Sequence, residues 1–181
     1  MRYYKNFLGS EEARELLRHL SDLPNVPWKS EEFRIFGKKV PAPRSLCWFG
    51  DKGVNYRYTG IDHICCGWPD WLNKLKGKIE KTTKKKFNFV LMNRYEDGLQ
   101  YMGWHRDNER GWSADIASLS LGAERRFLLD EPSREKKATI NLEHGSLICF
   151  DGSMRHCLPK TKTDLGIRIN LTFRSISLCK F

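Results

Sequence analysis

His105-Arg-Asp107 sets an imidazole and a carboxylate two residues apart. Side chains alternate along an extended backbone, so positions i and i+2 share a side and can reach one metal ion. Two histidines and one carboxylate on one face of an octahedron leave three positions open, the arrangement used by non-haem Fe(II) oxygenases. The third ligand must then come from His19, His63, His144 or His156. His19 falls on an N-terminal helical stretch and His63 in a loop beside Cys65-Cys66, where surface or core roles suffice. His144 lies in Leu142-Glu-His-Gly-Ser146, a turn before the next strand. His156 follows a strand and a Gly152-Ser153 turn, twelve residues before Arg168, and can return toward the final strand. It is the favoured third ligand, with His144 as the alternative.

A second set of chemistry-bearing residues lies on Ile167-Arg-Ile-Asn-Leu-Thr-Phe-Arg174. Alternation puts Ile167, Ile169, Leu171 and Phe173 on one face and Arg168, Asn170, Thr172 and Arg174 on the other. Two guanidiniums with an amide and a hydroxyl between them suit an anionic ligand better than a merely solvated face. At about 3.3 Å per residue the two Arg Cα atoms stand roughly 20 Å apart. One small dicarboxylate meets both only if they reach inward from its two ends.

Such residues need a scaffold of short strands. Phe87-Asn-Phe-Val-Leu-Met-Asn-Arg-Tyr95 puts Phe87, Phe89, Leu91, Asn93 and Tyr95 on one face. Further strands are expected at 116–121, 126–129, 138–142, 146–151 and 167–174, with Gly, Pro, Asp or Ser in the breaks. Short strands at this spacing, without intervening helical patterns, argue for a β sandwich or barrel. Two helices flank them. Ser10 is expected to cap the first, with Glu11 and Glu12 at its positive end and Ala13, Leu16, Leu17 and Leu20 as its apolar stripe. The second has Pro69 in its first turn, carries Trp71, Leu72, Leu75 and Ile79, and ends near the lysine-rich stretch 81–86. Residues 31–43 read as irregular or hairpin structure, and Val54-Asn-Tyr-Arg-Tyr58 as an alternating strand. The fold class is mainly β with flanking helices, in one domain without repeats or long linkers.

Composition narrows the partners. A chain of 181 residues can bury a proper core, and 40% hydrophobic content excludes a disordered tail. Apolar runs stop at four residues, so neither a membrane-spanning helix nor a secretory signal is expected. The net charge of +10 suggests a polyanionic partner, and it is uneven. Residues 1–90 carry 18 Lys and Arg against 10 Asp and Glu, a net +8, whereas 91–181 carry 14 against 12, a net +2. Cys47, Cys65, Cys66, Cys149, Cys157 and Cys179 form no C-x-x-C and no zinc-like spacing. Reduced thiols in an intracellular compartment are expected, cytoplasmic in a bacterium or nuclear in a eukaryote.

The combination of His105-x-Asp107, His156, Asn93-Arg-Tyr95 and Arg168-Ile-Asn-Leu-Thr-Phe-Arg174 resembles the AlkB family of Fe(II)/2-oxoglutarate dioxygenases, most nearly its duplex-DNA repair branch (AlkB homologue two-like). The resemblance runs from about residue 33 to 176. The N-R-Y and R-x-N-L-T-F-R motifs are specific, and H-x-D alone is not. It implies a double-stranded β-helix, or jelly-roll, core and three ligands to Fe(II): His105, Asp107 and His156. It further implies that Asn93, Tyr95, Arg168, Thr172 and Arg174 hold 2-oxoglutarate, with Asn170 nearby. The implied reaction uses O2 to demethylate N-alkylated bases of the 1-methyladenine and 3-methylcytosine type in DNA, releasing succinate, CO2 and formaldehyde.

A base inside a duplex must be flipped out to reach such a site, and an apolar wedge fills the gap. By resemblance Phe36 is that wedge, with Gly37 and Lys38 beside it. Tyr56 and Tyr58 stand at the base pocket and Arg57 near the phosphates. Asn108 departs from the family, which has an acidic residue there; Glu109 is the nearest substitute, and base preference is thereby open. The segment 130–137 is shorter than the basic loop usual in this branch, leaving the opposite strand to Lys160, Lys162 and the stretch 81–86. Residues 1–86 are expected to form a basic N-terminal extension with helices and a nucleotide-recognition hairpin, and 87–181 the catalytic core. The expected partner is DNA, duplex in preference to single strand, bound by a monomer. The alternatives are an RNA demethylase of the same chemistry or a non-catalytic nucleic-acid-binding module. The intact triad and both arginines speak against the module.

Overall fold

The computed structural model describes residues 1–22, 26–35, 38–58, 61–108, 113–130 and 137–177, with side chains at all of these except 31–35, 38–41, 43, 57–58 and 61–63. A seven-stranded sheet has the order β1-β11-β8-β13-β6-β3-β2. Its members are β1 (Arg2–Tyr4), β2 (Lys29–Ile35), β3 (Lys38–Gly50), β6 (Phe89–Tyr95), β8 (Asp115–Gly122), β11 (Ser146–Asp151) and β13 (Arg168–Arg174). A four-stranded sheet, β10-β9-β12-β7, is built from β7 (Met102–His105), β9 (Arg125–Asp130), β10 (Ala138–Leu142) and β12 (Arg155–Leu158). β4 (Asn55–Tyr58) and β5 (Ile61–Ile64) make a separate hairpin. All named strand pairings are antiparallel, and together the two larger sheets form a jelly roll.

The helices α1 (Ser10–Ser21) and α2 (Asp70–Thr83) cover the outer face of the larger sheet. Leu20 of α1 and Leu72, Leu75 and Ile79 of α2 join Val90, Met92, Leu119, Leu121, Ile169, Leu171 and Phe173 in one core. Each such side chain removed from water stabilises the fold by about 1.5–3 kcal/mol. The opposite face of the sheet meets the smaller one through a second core containing Tyr95, Phe127, Leu129, Leu142, Ile148, Phe150 and Leu158. A third cluster, including Tyr56, Phe89 and Leu91, lies under the β4–β5 hairpin.

Three local expectations are corrected. Gly9, not Ser10, is the N-cap of α1; its carbonyl accepts the Ala13 N–H at 2.9 Å, and no side chain caps the helix. Pro69 likewise precedes α2 as its N-cap, with its carbonyl accepting from Leu72 and Asn73. Phe87 packs with the helices rather than with Phe89 because β6 begins only at Phe89, so strand alternation does not govern it. β7 and β12 were not expected as strands. No helix among the described residues is long and apolar enough to cross a membrane.

Candidate active site

The site begins with strand register. β12 and β7 place His156 directly opposite His105, whereas Leu158 faces Met102, so β7 spends one extra residue between the two pairs. A bulge of this kind re-aims side chains. Here it turns both Met102 and His105 toward the space between the sheets, where both line one cavity of about 160 Å³. The His156 ring is fixed by Phe150, edge-on at 4.9 Å, and by Phe127 at 5.5 Å.

Both imidazoles are oriented by backbone carbonyls. Nδ1 of His105 lies 2.8 Å from the Gly103 oxygen, and Nδ1 of His156 lies 2.8 Å from the Met154 oxygen. A ring that donates from Nδ1 keeps an Nε2 lone pair for a metal. Nε2 of His105 is 3.7 Å from Asp107 Oδ1, and Nε2 of His156 is 3.6 Å from Asp107 Oδ2. One ligand atom from each of the three lies within 4.8 Å of the others. Asp107 is anchored through its main chain, its N–H donating to the Gly152 carbonyl at 2.7 Å. A Cβ at position 152 would stand 2.6 Å from the Asp107 oxygen, so only glycine permits this approach.

Electrostatics prepare the same three residues. Burial, followed by the charge of His156, pushes the His105 imidazole down to about 4, so it is neutral near pH 7. Burial alone would raise the Asp107 carboxyl, but the Arg174 guanidinium, donating to Oδ2 at 2.7 Å, and the two imidazoles outweigh it. Asp107 is therefore held below the usual carboxylate range. Two converging imidazole nitrogens and an ionised carboxylate fit a divalent first-row metal such as Fe(II).

The larger sheet supplies the facing wall. Register aligns Arg168 with Tyr95 and Asn170 with Asn93, so the polar faces of β13 and β6 line the cavity together. The expected ladder is thus neither solvated nor exposed, since every residue of β13 is buried. Asn170 Nδ2 donates to Ser118 Oγ at 2.6 Å, Thr172 Oγ1 donates to Asn170 Oδ1 at 2.8 Å, and Asn93 Nδ2 approaches the same oxygen at 3.5 Å. Arg168 is 2% exposed and donates to Ser120 Oγ at 3.1 Å, yet its Nε has no hydrogen-bond partner and it forms no ion pair among the described residues. Burial pulls it down to about 10, against the opposing effect of Tyr95. A buried guanidinium lacking an acid is costly unless an anion meets it. One end of an acidic ligand such as 2-oxoglutarate fits there.

Among the other expected residues, Tyr56 is 1% exposed, lines the cavity and packs on Phe89 with centroids 4.7 Å apart. Asn108 is exposed just after the triad. Arg57 and Tyr58 belong to β4 and Lys38 opens β3, but their side chains, together with Phe36, Gly37 and Glu109, lie outside the described residues. His144 is not brought to the triad; its Nδ1 accepts the Gly122 N–H at 2.9 Å. His19 packs edge-on against Trp71. The stretch 81–86 is partly neutralised, with Lys85 paired to Asp115 and Lys86 to Glu80.

Sequence reasoning missed two buried arginines. Arg44 lines the cavity, and its Nε donates to Asn93 Oδ1 at 2.7 Å, which orients that amide. Arg125 donates to the carbonyls of Asp97, Gln100 and Pro159, tying together the segments beside β6 and β12. Neither sits in a local pattern that separates it from a surface arginine; their partners are distant in sequence.

Two packed antiparallel sheets around a two-histidine, one-carboxylate centre define a jelly-roll metal oxygenase. The 2OG-Fe(II) oxygenase superfamily matches residues 1–174. DNA oxidative demethylase ALKBH2 of Mus musculus is 33% identical over 188 residues, 96% of this chain and 79% of that protein. Its Homo sapiens counterpart is 34% identical over 98% of this chain and 74% of its own length. Alpha-ketoglutarate-dependent dioxygenase alkB homolog 3 of Mus musculus is 32% identical over 96% of this chain and 65% of its own. The fold is shared with the structure of OsALKBH1, at a TM-score of 0.69 and 18% identity over 96% of this chain and 97% of that one. The chain belongs to the 2OG-Fe(II) oxygenase superfamily and, within it, to the AlkB family. Its cofactor is accordingly Fe(II), and its cosubstrates are 2-oxoglutarate and O2.

Proposed function

We propose that this protein is a DNA oxidative demethylase that removes N-linked alkyl groups, of the 1-methyladenine and 3-methylcytosine type, by direct reversal. The observation that carries the reading is the cavity itself. It joins a metal-ready triad to an acid-starved arginine in a chain 33–34% identical to proteins named DNA oxidative demethylase. When bound, Fe(II) and 2-oxoglutarate supply the oxidation of the methyl group with O2, yielding succinate, CO2 and formaldehyde.

The protein residues have separate tasks in this reading. His105, Asp107 and His156 hold the metal, and Arg174 keeps Asp107 ionised and aimed. Arg168 takes a carboxylate of 2-oxoglutarate through charge-assisted hydrogen bonds, beside Asn93, Tyr95, Asn170 and Thr172. Phe127 and Phe150 keep water from the His156 side. Tyr56, at the β4–β5 end of the cavity, meets the base, with Arg57, Tyr58, Asn108 and Glu109 around it. β2 and β3 stay paired up to Ile35 and Lys38, which supports Phe36, with Gly37 and Lys38, as the wedge for a duplex.

The test is turnover of 1-methyladenine and 3-methylcytosine oligonucleotides with Fe(II) and 2-oxoglutarate, as single-stranded DNA, duplex DNA and RNA. Formaldehyde from DNA, with duplex retained as a substrate, is the expected result. Formaldehyde from RNA alone, or from no strand while iron is bound, contradicts it. Phe36→Ala should cost more on duplex than on single strands, and equal losses remove the wedge.

A further inference from the structure

The charges of this protein divide into two populations. Several cations near the helices are matched with acids: Lys78 with Glu12, Lys76 and Lys86 with Glu80, Lys85 with Asp115, Lys5 with Glu143, and Arg94 with Glu96. Pairs of this kind cancel much of the attraction that their lysines would exert on a polyanion.

The outer face of the smaller sheet differs. Phe127, Leu129, His156 and Leu158 point inward, so Arg126 of β9 and Arg155 of β12 point outward, where both are exposed. The bulge in β7 puts Trp104 on this same outer side while His105 turns in. Lys137 Nζ lies 4.5 Å from the Trp104 ring centroid and Arg155 Cζ lies 5.4 Å from it. Cations over an aromatic face are held in place by its quadrupole without losing their charge. Arg126, Lys137 and Arg155 form no ion pair among the described residues. Asp130, which register sets opposite Arg155, bridges none of them. Trp104 and Arg155 are also the chain neighbours of the two metal-site histidines.

We propose that this face, centred on Trp104 with Lys137 and Arg155 and flanked by Arg126, binds the sugar-phosphate backbone of the DNA strand as it passes the β7 edge of the smaller sheet. The occupant follows from charge complementarity: exposed cations without an ion pair among the described residues, pre-positioned on an aromatic ring, match regularly spaced phosphates. The surface rests on the reading of DNA as substrate but not on demethylation itself. It places part of the backbone grip in the half that carries the metal site, although the formal charge is greater in the other.

The experiment is the salt dependence of binding to unmodified duplex DNA, with the full chain holding Fe(II) and 2-oxoglutarate under nitrogen. Each phosphate contact contributes about 0.9 to the slope of log affinity against log salt. The double variant Lys137→Gln/Arg155→Gln should flatten that slope by roughly 1.8. The control Lys78→Gln/Lys86→Gln, which removes two acid-paired lysines, should change it by less than half as much. An unchanged slope in the first variant, an equal change in the control, or no DNA binding by the parent overturns the surface. Melting of the loaded protein should be alike in all three, which separates lost contacts from lost fold. A flattened slope without formaldehyde from any methylated strand would keep the surface and remove the demethylase reading. Formaldehyde with an unchanged slope would do the reverse.

Discussion

Arg168 and Arg174 stand at opposite ends of one face of β13, and both are buried, at 2% and 5% exposure. Arg174 meets Asp107 at 2.7 Å. Arg168 meets a serine hydroxyl and a tyrosine ring, the latter 5.4 Å away, but no carboxylate among the described residues. Identical side chains on one strand therefore occupy opposite electrical circumstances. The paired end already holds its acid, the aspartate that converges with the two histidines. The unpaired end carries desolvated positive charge without an acid among the described residues, and it is there that the proposed function puts the acidic cosubstrate. A buried arginine is informative less by its presence than by whether the protein has already supplied its acid.

Substitutions can break that contrast in order of severity. Asp107→Ala should abolish turnover and metal binding and, by leaving Arg174 buried without its acid, cost about 3–5 kcal/mol of stability. Metal titration and denaturant unfolding read the two effects separately. Arg174→Met should destabilise the metal-free protein by a comparable several kcal/mol, since it strands Asp107 instead. Arg168→Met removes a charge that has no acid, so the metal-free protein should melt no lower than the parent. Its 2-oxoglutarate affinity should fall by about 2–5 kcal/mol, roughly 30-fold or more. Equal melting losses in the two arginine variants would erase the distinction.

A smaller effect comes from pH at the paired end. His105 is pushed down to about 4 from an ordinary value near 6.5, so between those values the unfolded chain binds more protons than the folded one. The stability associated with neutral His105 is present above about 6.5 and is lost as pH falls toward about 4. Thermal unfolding of the metal-free protein across that window should show the decline, and His105→Asn should flatten it. A profile unaffected by that substitution would place the titration elsewhere. The smallest expected change is Arg44→Met, which frees the Asn93 amide to rotate. It should raise the KM for 2-oxoglutarate several-fold while leaving metal affinity intact.

The two ends of β13 were also unequally legible in the sequence. Alternation alone assigned Arg168, Asn170, Thr172 and Arg174 to one face, because strand periodicity is local. H-x-D spacing exposed His105 and Asp107 for the same reason. Choosing His156 over His144 rested on chain direction and resemblance; the reason it is right is the pairing of β12 with β7, a contact 51 residues apart in the register His156↔His105. That pairing was unreadable because each strand spans only four residues and β7 carries a bulge that breaks the period of two. Arg44 and Arg125 stayed hidden because their partners are at least 25 residues away. Composition likewise counts Lys78 and Lys86 in the N-terminal excess but not the glutamates folded against them.

The central claim is that one cavity couples 2-oxoglutarate to removal of an N-methyl group from DNA. It is tested most directly by measuring CO2 released from C1 of 2-oxoglutarate alongside formaldehyde on a 1-methyladenine duplex, in the parent and in Arg168→Met. The account predicts near one-to-one release in the parent, with both products falling together in the variant and recovering as 2-oxoglutarate is raised. CO2 release without formaldehyde on every methylated strand, or full activity in Arg168→Met at low 2-oxoglutarate, would contradict it.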